Sequence, residues 1–257
     1  MLTFGERLDG YFDVEDQFID YFRRRAERCF RRREHERQGL TSLQDFEAYR
    51  ERMKRQFLRA IGGLPEERSP LNARVTGVLE QGSYEIHRLI YESLPGFPVT
   101  AALYMTRSRI GQAPGPAVLF VCGHGREAKA YPNYQKVCID LALEGFVVLA
   151  IDPPGQGERM QYLDRESGEE QVRYGVVEHN YAGLQYYMIG ASIARHFVWD
   201  GIRAIDFLAA LPEVDPGRIG ITGNSGGGTQ TAFLMMAEPR LAAAMPCTFV
   251  MDYESYM

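Results

Sequence analysis

The chain has 257 residues, of which 45% are hydrophobic and 25% charged, and its formal net charge is −5. These values are typical of one large or two modest globular domains, and they give no sign of nucleic-acid binding. No apolar run is long enough to span a membrane, and the charged N-terminus does not resemble a signal peptide, so we expect a cytoplasmic protein without a membrane partner. The four cysteines lack metal-type spacing, and we expect free thiols and no metal or organic cofactor.

Residues 1–65 differ in composition from the rest and are predicted to form a helical extension. Apolar residues recur at helical spacing over about residues 13–37, and arginines crowd the opposite face. We interpret the arginines as a solvated face, with a subunit contact as the alternative. A second helix is predicted to begin at Thr41 or Ser42, where Thr41-x-x-Gln44 fits a capping box.

Residues 66–257 are predicted to form an α/β core, because strand patterns alternate with helical ones. Three alternating segments predict an antiparallel meander, and four continuous apolar runs predict buried parallel strands with helices on both faces. A polar segment rich in Tyr and Gly, about residues 158–192, is predicted to be an insertion. The predicted strands are 75–80, 84–93, 97–105, 117–122, 146–151, 218–222 and 243–250, and the predicted core helices are 134–144, 193–211 and 226–237.

The sequence Gly223-Asn-Ser225-Gly-Gly227 matches the G-x-S-x-G pattern of a nucleophile elbow, between a predicted strand and a predicted helix. So sharp a turn predicts a strained backbone at Ser225 and a hydroxyl raised above the sheet. The flanking glycines avoid collisions with the neighbouring strand and helix. Ser225 is therefore the candidate nucleophile, and the amide of Gly226 is a candidate oxyanion donor.

Loops after the first two parallel strands supply further candidates, because strand carboxyl ends line the crevice of an open α/β sheet. The amide of Arg126 is the candidate second oxyanion donor. For His124 we favour a role in ordering its loop, and for Asp152 a role in bracing one. The candidate substrate contacts are His124, Gly125, Asp152, Asn224 and Tyr181.

Four motifs in series resemble the acetyl-xylan-esterase and prolyl-oligopeptidase-like branch of the α/β-hydrolases, over roughly residues 85–250. The resemblance implies an α/β-hydrolase fold with Ser225 as nucleophile and the amides of Gly226 and Arg126 as oxyanion donors. It also implies deacylation of short esters, often on carbohydrates, through an acyl-enzyme. The motifs are His124-Gly125, Asp152-Pro-Pro-Gly-Gln-Gly, Trp199-Asp200-Gly and the segment from Pro216 to Gly228.

No histidine follows Ser225, although the triad of this fold runs Ser, acid, His along the chain. Asp252 is a candidate acid, and Glu254 is a weaker one. Three explanations stay open. The sequence stops part-way through the domain, so that C-terminal strands of the fold are missing; or an upstream base such as His124 or His179 serves; or the elbow is a relic in a noncatalytic protein.

We therefore expect a serine esterase that acts on short-acyl esters, acetyl esters in particular, of carbohydrates or small molecules. A prolyl-oligopeptidase-like peptidase is the enzymatic alternative, but the helical segment before residue 72 is too short for the usual β-propeller. A noncatalytic hydrolase-fold binding protein is the other alternative. The expected partners are the ester substrate and, as an open possibility, a second copy of the chain.

Overall fold

The computed structural model describes residues 16–251. These residues divide into two compact units, one containing residues 16–53 and the other residues 54–250. The boundary lies earlier than the one predicted from composition, after residue 65. The reason is that the last turns of the second helix join the larger unit, in which Ile61 is buried and Phe57 and Leu58 pack against the core.

Two helices occupy the first part of the chain: α1, Gln17–Gln38, and α2, Leu43–Ala60. The predicted start of α1 near residue 13 lies outside the described residues. None of the residues of α1 is buried. Of the two predicted starting residues, Ser42 caps α2, and the predicted capping box Thr41-x-x-Gln44 is wrong by one residue. The Ser42 hydroxyl accepts the Asp45 N–H at 3.1 Å, and the Asp45 carboxylate accepts the Ser42 N–H at 3.0 Å.

The larger unit is built on a seven-stranded sheet of order β1-β2-β3-β5-β4-β6-β7. The first three strands form the predicted antiparallel meander, and β3 also pairs antiparallel with β5, while β5, β4, β6 and β7 run parallel. The strands are β1 Arg74–Gln81, β2 Tyr84–Leu94, β3 Phe97–Thr106, β4 Gly115–Val121, β5 Val147–Ile151, β6 Val214–Asn224 and β7 Leu241–Cys247. The predicted α/β class with a mainly parallel sheet is confirmed.

Helices cover both faces of this sheet. One face is packed by α3, Pro132–Leu143, and the other by α5, Ala194–Ala209, and α6, Gly226–Ala237. The insertion predicted at 158–192 contains a further helix, α4, Val176–Tyr187. Its helical pattern escaped the sequence analysis because its large apolar residues point outwards: Leu184 is 64% exposed and Tyr187 is 70% exposed.

The continuous apolar runs arise because strand neighbours alternate between two core clusters. On β4, Leu119 and Val121 belong to the cluster on the side of α5 and α6, whereas Val118 and Phe120 belong to the cluster on the side of α3. A central parallel strand must therefore be apolar on both faces. Over residues 16–251, no helix is both long enough and apolar enough to cross a membrane.

Candidate functional site

The strand–turn–helix at Ser225 has the geometry that the sequence predicts. β6 ends at Asn224, α6 begins at Gly226, and Ser225 between them has φ +56° and ψ −115°. A side chain on either flanking glycine has no room: a methyl group built on Gly223 or Gly227 would lie less than 3.0 Å from the carbonyl oxygen of Val121. The backbone of β4 thus fixes how tightly the turn closes.

The neighbouring strand β7 holds the turn from the other side. The Ser225 N–H donates to the carbonyl oxygen of Cys247 and to the hydroxyl of Thr248, both at 3.0 Å. The Thr248 hydroxyl in turn donates to Oδ1 of Asn224 at 2.5 Å. These bonds fix a backbone conformation that is costly for a residue other than glycine. The Ser225 side chain stays exposed, and no hydrogen bond joins its hydroxyl to another residue in the part of the chain that the structure describes.

Two backbone amides, one at this turn and one in the loop after β4, have no partner among the described residues. Among the described residues, no acceptor takes the N–H of Gly226, at the N-terminus of α6, or that of Arg126, in the loop after β4. The N-terminal end of a helix favours a negative charge, because its first amides have no partner within the helix. These are the two amides that the sequence analysis names as oxyanion donors.

The loop after β4 brings His124 directly against the turn. A methyl group built on Gly226 would lie less than 3.0 Å from atoms of the His124 imidazole, so the ring rests on the backbone of Gly226. The ring also contacts the His179 imidazole on α4, at 5.2 Å between centroids. Loss of contact with water lowers the pKa of His124 below its usual value. The neutral imidazole is therefore favoured at this place.

The surroundings of His179 lower its pKa strongly. Its Nε2 lies 2.7 Å from the carbonyl oxygen of Pro154, so Nε2 carries the proton that is donated. The ring also packs edge-on against Phe197, at 4.9 Å between centroids. Burial lowers the pKa of His179 to about 4, although the bond to the Pro154 carbonyl opposes the shift. His179 is thus a neutral group that ties α4 to the loop after β5.

The structure corrects the assignment of Asp152 as a substrate contact, because its side chain has no exposed surface. Its carboxylate pairs with the Lys129 ammonium and accepts the Thr100 hydroxyl at 2.6 Å and the Lys129 N–H at 3.1 Å. Asp152 cannot touch a substrate. It braces the loops that follow β4 and β5, which is the interpretation that the sequence favoured.

The other candidate contacts differ in where they lie. A cavity of about 1080 Å³ opens beside the turn and is lined by His124, Gly125, Asn224 and Ser225, together with residues of α3 and β7. Tyr181 does not line this cavity. It lies on α4 with 51% of its surface exposed, and its ring packs edge-on against Tyr162. Asp252 and Glu254, the candidate acids, lie outside the described residues.

Sequence analysis missed two polar residues that build the site. Gln156 is buried, and its side-chain amide donates to the carbonyl oxygens of Gly123 and Gly125. Thr248 bonds the Ser225 amide across the sheet. Gln156 lies inside the Asp152-Pro-Pro-Gly-Gln-Gly motif, so a signal was present. No sequence signal pointed to Thr248, because its contact with Ser225 depends on how β7 pairs with β6.

Solved structures identify the class of fold. Residues of this chain superpose on a protein from Bacteroides fragilis NCTC 9343 that is described as a putative acetyl xylan esterase, with a TM-score of 0.66 at 15% identity, over 79% of this chain and 54% of that one. An acetyl xylan esterase from Paenibacillus sp. R4 gives a TM-score of 0.53 at 24% identity, over 81% of this chain and 60% of that one. With its seven-stranded sheet and flanking helices, the larger unit has the α/β-hydrolase fold.

The family follows from the sequence match. The model of the acetyl xylan esterase (AXE1) family matches residues 70–257, and the chain belongs to that family. It is also 26% identical over 210 residues to YtaP of Bacillus subtilis strain 168, whose name describes it as a hydrolase. That match covers 78% of this chain and 64% of YtaP. The chain thus spans between about half and two thirds of the length of these relatives.

Proposed function

We propose that the protein hydrolyses short carboxylic esters, acetyl esters of carbohydrates or small molecules above all, with Ser225 as nucleophile. The observation that carries the proposal is the placement of Ser225. Its exposed hydroxyl lies on a strained turn directly before α6, next to the amide of Gly226, and neither that amide nor the amide of Arg126 has an acceptor among the described residues. Membership of the acetyl xylan esterase family supports the choice of ester.

The reaction would proceed in two steps. Oγ of Ser225 attacks the ester carbonyl carbon, and the two free amides stabilise the negative charge that develops on the carbonyl oxygen. The alcohol leaves with a proton, and an acyl-enzyme forms on Ser225. Water then attacks the same carbon, and the acid is released. Acyl transfer of this kind needs no redox cofactor, because no atom changes its oxidation state when the ester is cleaved.

The attack also needs a group that takes the proton of Ser225. Of the described imidazoles, His179 and His196 each hold Nε2 in a hydrogen bond, to the Pro154 carbonyl and to the Tyr186 hydroxyl, which leaves Nδ1 as the nitrogen that could take a proton. His124 is the one of these three whose ring is shown against the turn, because it rests on Gly226, the residue after Ser225. It is therefore the histidine whose role as base has to be tested first among the residues that the structure describes.

Labelling with a fluorophosphonate, followed by intact-mass measurement, tests the nucleophile. The probe reacts with activated serines, so we expect one adduct on the unmodified protein and none on Ser225→Ala. Ser108→Ala, at an exposed position on the surface loop after β3, is the matched control and should keep the adduct. Labelling that persists in Ser225→Ala would overturn the assignment of the nucleophile.

Hydrolysis of p-nitrophenyl esters then tests the acyl preference. We expect kcat/KM to be highest for acetate and to fall as the acyl chain lengthens, and we expect acetate release from acetylated xylan.

Equal loss of hydrolysis in His124→Gln and Ser225→Ala would make His124 the base, whereas retained activity in His124→Gln would exclude it. A protein that neither hydrolyses any ester nor reacts with the probe would support a binding role instead.

A further inference from the structure

The loop that carries the Arg126 amide has two hydrogen bonds within itself, from the Gly125 N–H to the Gly123 carbonyl at 2.9 Å and from the Ala128 N–H to the Gly125 carbonyl at 3.2 Å. It contains Gly123 and Gly125, whose backbones are the least restricted of any residue, and the Arg126 side chain points away to Glu170, at 2.7 Å. A donor that stabilises a developing charge must be held within a narrow range of positions before the reaction begins. With two glycines in the loop, a contact from another part of the chain would restrict its position further.

Gln156, from the loop after β5, makes the required contacts. Its Nε2 lies 2.7 Å from the carbonyl oxygen of Gly123 and 2.6 Å from that of Gly125. Both partners can only accept, so the atom facing them must be the amide nitrogen, and both of its protons are used. The next residue, Gly157, donates its N–H to the carbonyl oxygen of Arg126 at 2.8 Å. Gln156 itself is 1% exposed, so water does not compete for these bonds.

Because the peptide bond is planar, the hydrogen bonds from Gln156 also determine the direction of the Arg126 amide. In a trans peptide, the carbonyl oxygen of one residue and the N–H of the next point in opposite directions within one plane. The Gly125 carbonyl is fixed by Gln156 and by the Ala128 N–H at 3.2 Å. The Arg126 N–H is consequently turned away from Gln156.

We infer that Gln156 is a positioning residue, which orients the Arg126 amide for transition-state stabilisation by holding the carbonyl groups of Gly123 and Gly125. The inference rests on the proposed function, because it gives the Arg126 amide its role in ester hydrolysis. Gln156 itself does not touch the substrate. Its loss should act on the step in which charge develops, and binding of the neutral ester should change little.

Steady-state kinetics of Gln156→Leu separate this role from a general structural one. We expect kcat to fall roughly 10- to 100-fold, with KM within about twofold of the wild-type value, because an oxyanion donor acts in the transition state. The matched control is Gln135→Leu. The Gln135 side-chain amide also donates to a backbone carbonyl, that of Ala130 at 2.6 Å, but outside the loop that carries Arg126. Its kcat should stay within about twofold of the wild-type value.

A second variant, Gln156→Glu, gives a signature in the pH profile. An ionised carboxylate would face two carbonyl oxygens and donate to neither, whereas a protonated carboxyl group can donate to one of them. The ratio of its kcat to the wild-type kcat should therefore rise as the pH falls, and the ratio for Gln156→Leu should stay flat. All variants share the neighbouring titratable groups, so the effect of these groups on the pH dependence of kcat divides out of the ratio. The groups are His124, His179, Glu178 and the Lys129–Asp152 pair.

Hydrogen–deuterium exchange of a peptide covering residues 122–128 gives a readout that does not depend on activity. Faster exchange in Gln156→Leu but not in Gln135→Leu is expected. Unchanged kcat in a folded Gln156→Leu protein, or a flat ratio for Gln156→Glu, would overturn the inference while leaving the proposed function intact. If the wild-type protein has no esterase activity, the proposed function fails, and unchanged exchange would then show separately that Gln156 does not hold the loop.

Discussion

The imidazole of His124 lies on the backbone of Gly226, so closely that a single methyl group at residue 226 would come less than 3.0 Å from ring atoms. His124 belongs to the loop after β4, and Gly226 begins α6. The contact therefore joins the two segments that carry the candidate oxyanion donors. A glycine is required at this place by the ring above it and not by its own backbone angles, since Gly226 does not have positive φ.

The first prediction is that Gly226→Ala lowers kcat/KM for p-nitrophenyl acetate by roughly 10- to 100-fold, because the new methyl group displaces His124 and the loop that it belongs to. The free energy of unfolding should fall by about 1–3 kcal/mol in the same variant.

Adding His124→Ala to Gly226→Ala should restore most of the stability, because it removes the other partner of the clash. A double-mutant cycle measured by urea denaturation gives the coupling between the two sites, which should be well above the few tenths of a kcal/mol of independent sites. Additive effects of the two substitutions would contradict the contact.

The sequence alone predicted the elements that depend on local pattern. The alternation over β1 to β3 and the continuous apolar runs of β4, β5 and β6 were sufficient to predict these strands. A strand that is packed on both faces must be apolar on both, and this requirement is visible in the sequence. The turn at Ser225 was predicted for a similar reason: two glycines must flank so sharp a change of direction. Its backbone angles agree with that expectation.

Contacts between segments that are distant in the chain could not be predicted from the sequence. Asp152 and Lys129 form a buried pair 23 residues apart, and no periodicity reveals which carboxylate will meet which ammonium. The helix α4 was missed because its apolar residues do not face a core. Thr248 meets Ser225 only through the register of β7 against β6. Such contacts follow from the assembled sheet.

A second prediction concerns the closeness of β4 to the turn. Gly227→Ala should lower the free energy of unfolding by more than about 3 kcal/mol, because the methyl group would collide with the Val121 carbonyl, which is backbone and cannot rotate away. Gly217→Ala is the control, since its nearest new neighbour would be the Asp215 carboxylate at 3.4 Å. That variant should change stability by less than about 0.5 kcal/mol in urea denaturation. Equal stability of the two variants would contradict the geometry.

A third prediction tests the buried ion pair. Lys129→Met should cost roughly 3 kcal/mol of stability, because the Asp152 carboxylate, which has no exposed surface, would lose its cationic partner. Lys136→Met, at an exposed position on α3, should cost less than about 0.5 kcal/mol. Combining Lys129→Met with Asp152→Asn should recover part of the loss, since no buried charge then remains. A combined variant less stable than Lys129→Met alone would show that the charge of Asp152 is satisfied by other groups.

The last prediction concerns pH. Burial lowers the pKa of His179 from the model-peptide value of 6.5 to about 4 in the folded protein. Between these two values the unfolded chain binds a proton that the folded protein does not, so His179 reduces stability progressively as the pH falls from 6.5 towards 4. At neutral pH it is uncharged in both states and has no such effect.

The variant His179→Gln should remove this part of the pH dependence. Glutamine can still donate to the Pro154 carbonyl but does not titrate, and the remaining histidines are the same in both proteins. Urea denaturation at pH 7, 5.5 and 4.5 should therefore show the wild-type protein losing on the order of 2 kcal/mol more than the variant over this range. Parallel stability curves would mean that His179 takes up its proton at the same pH in the folded protein as in the unfolded chain, and that its ring is not held neutral between the Pro154 carbonyl and Phe197.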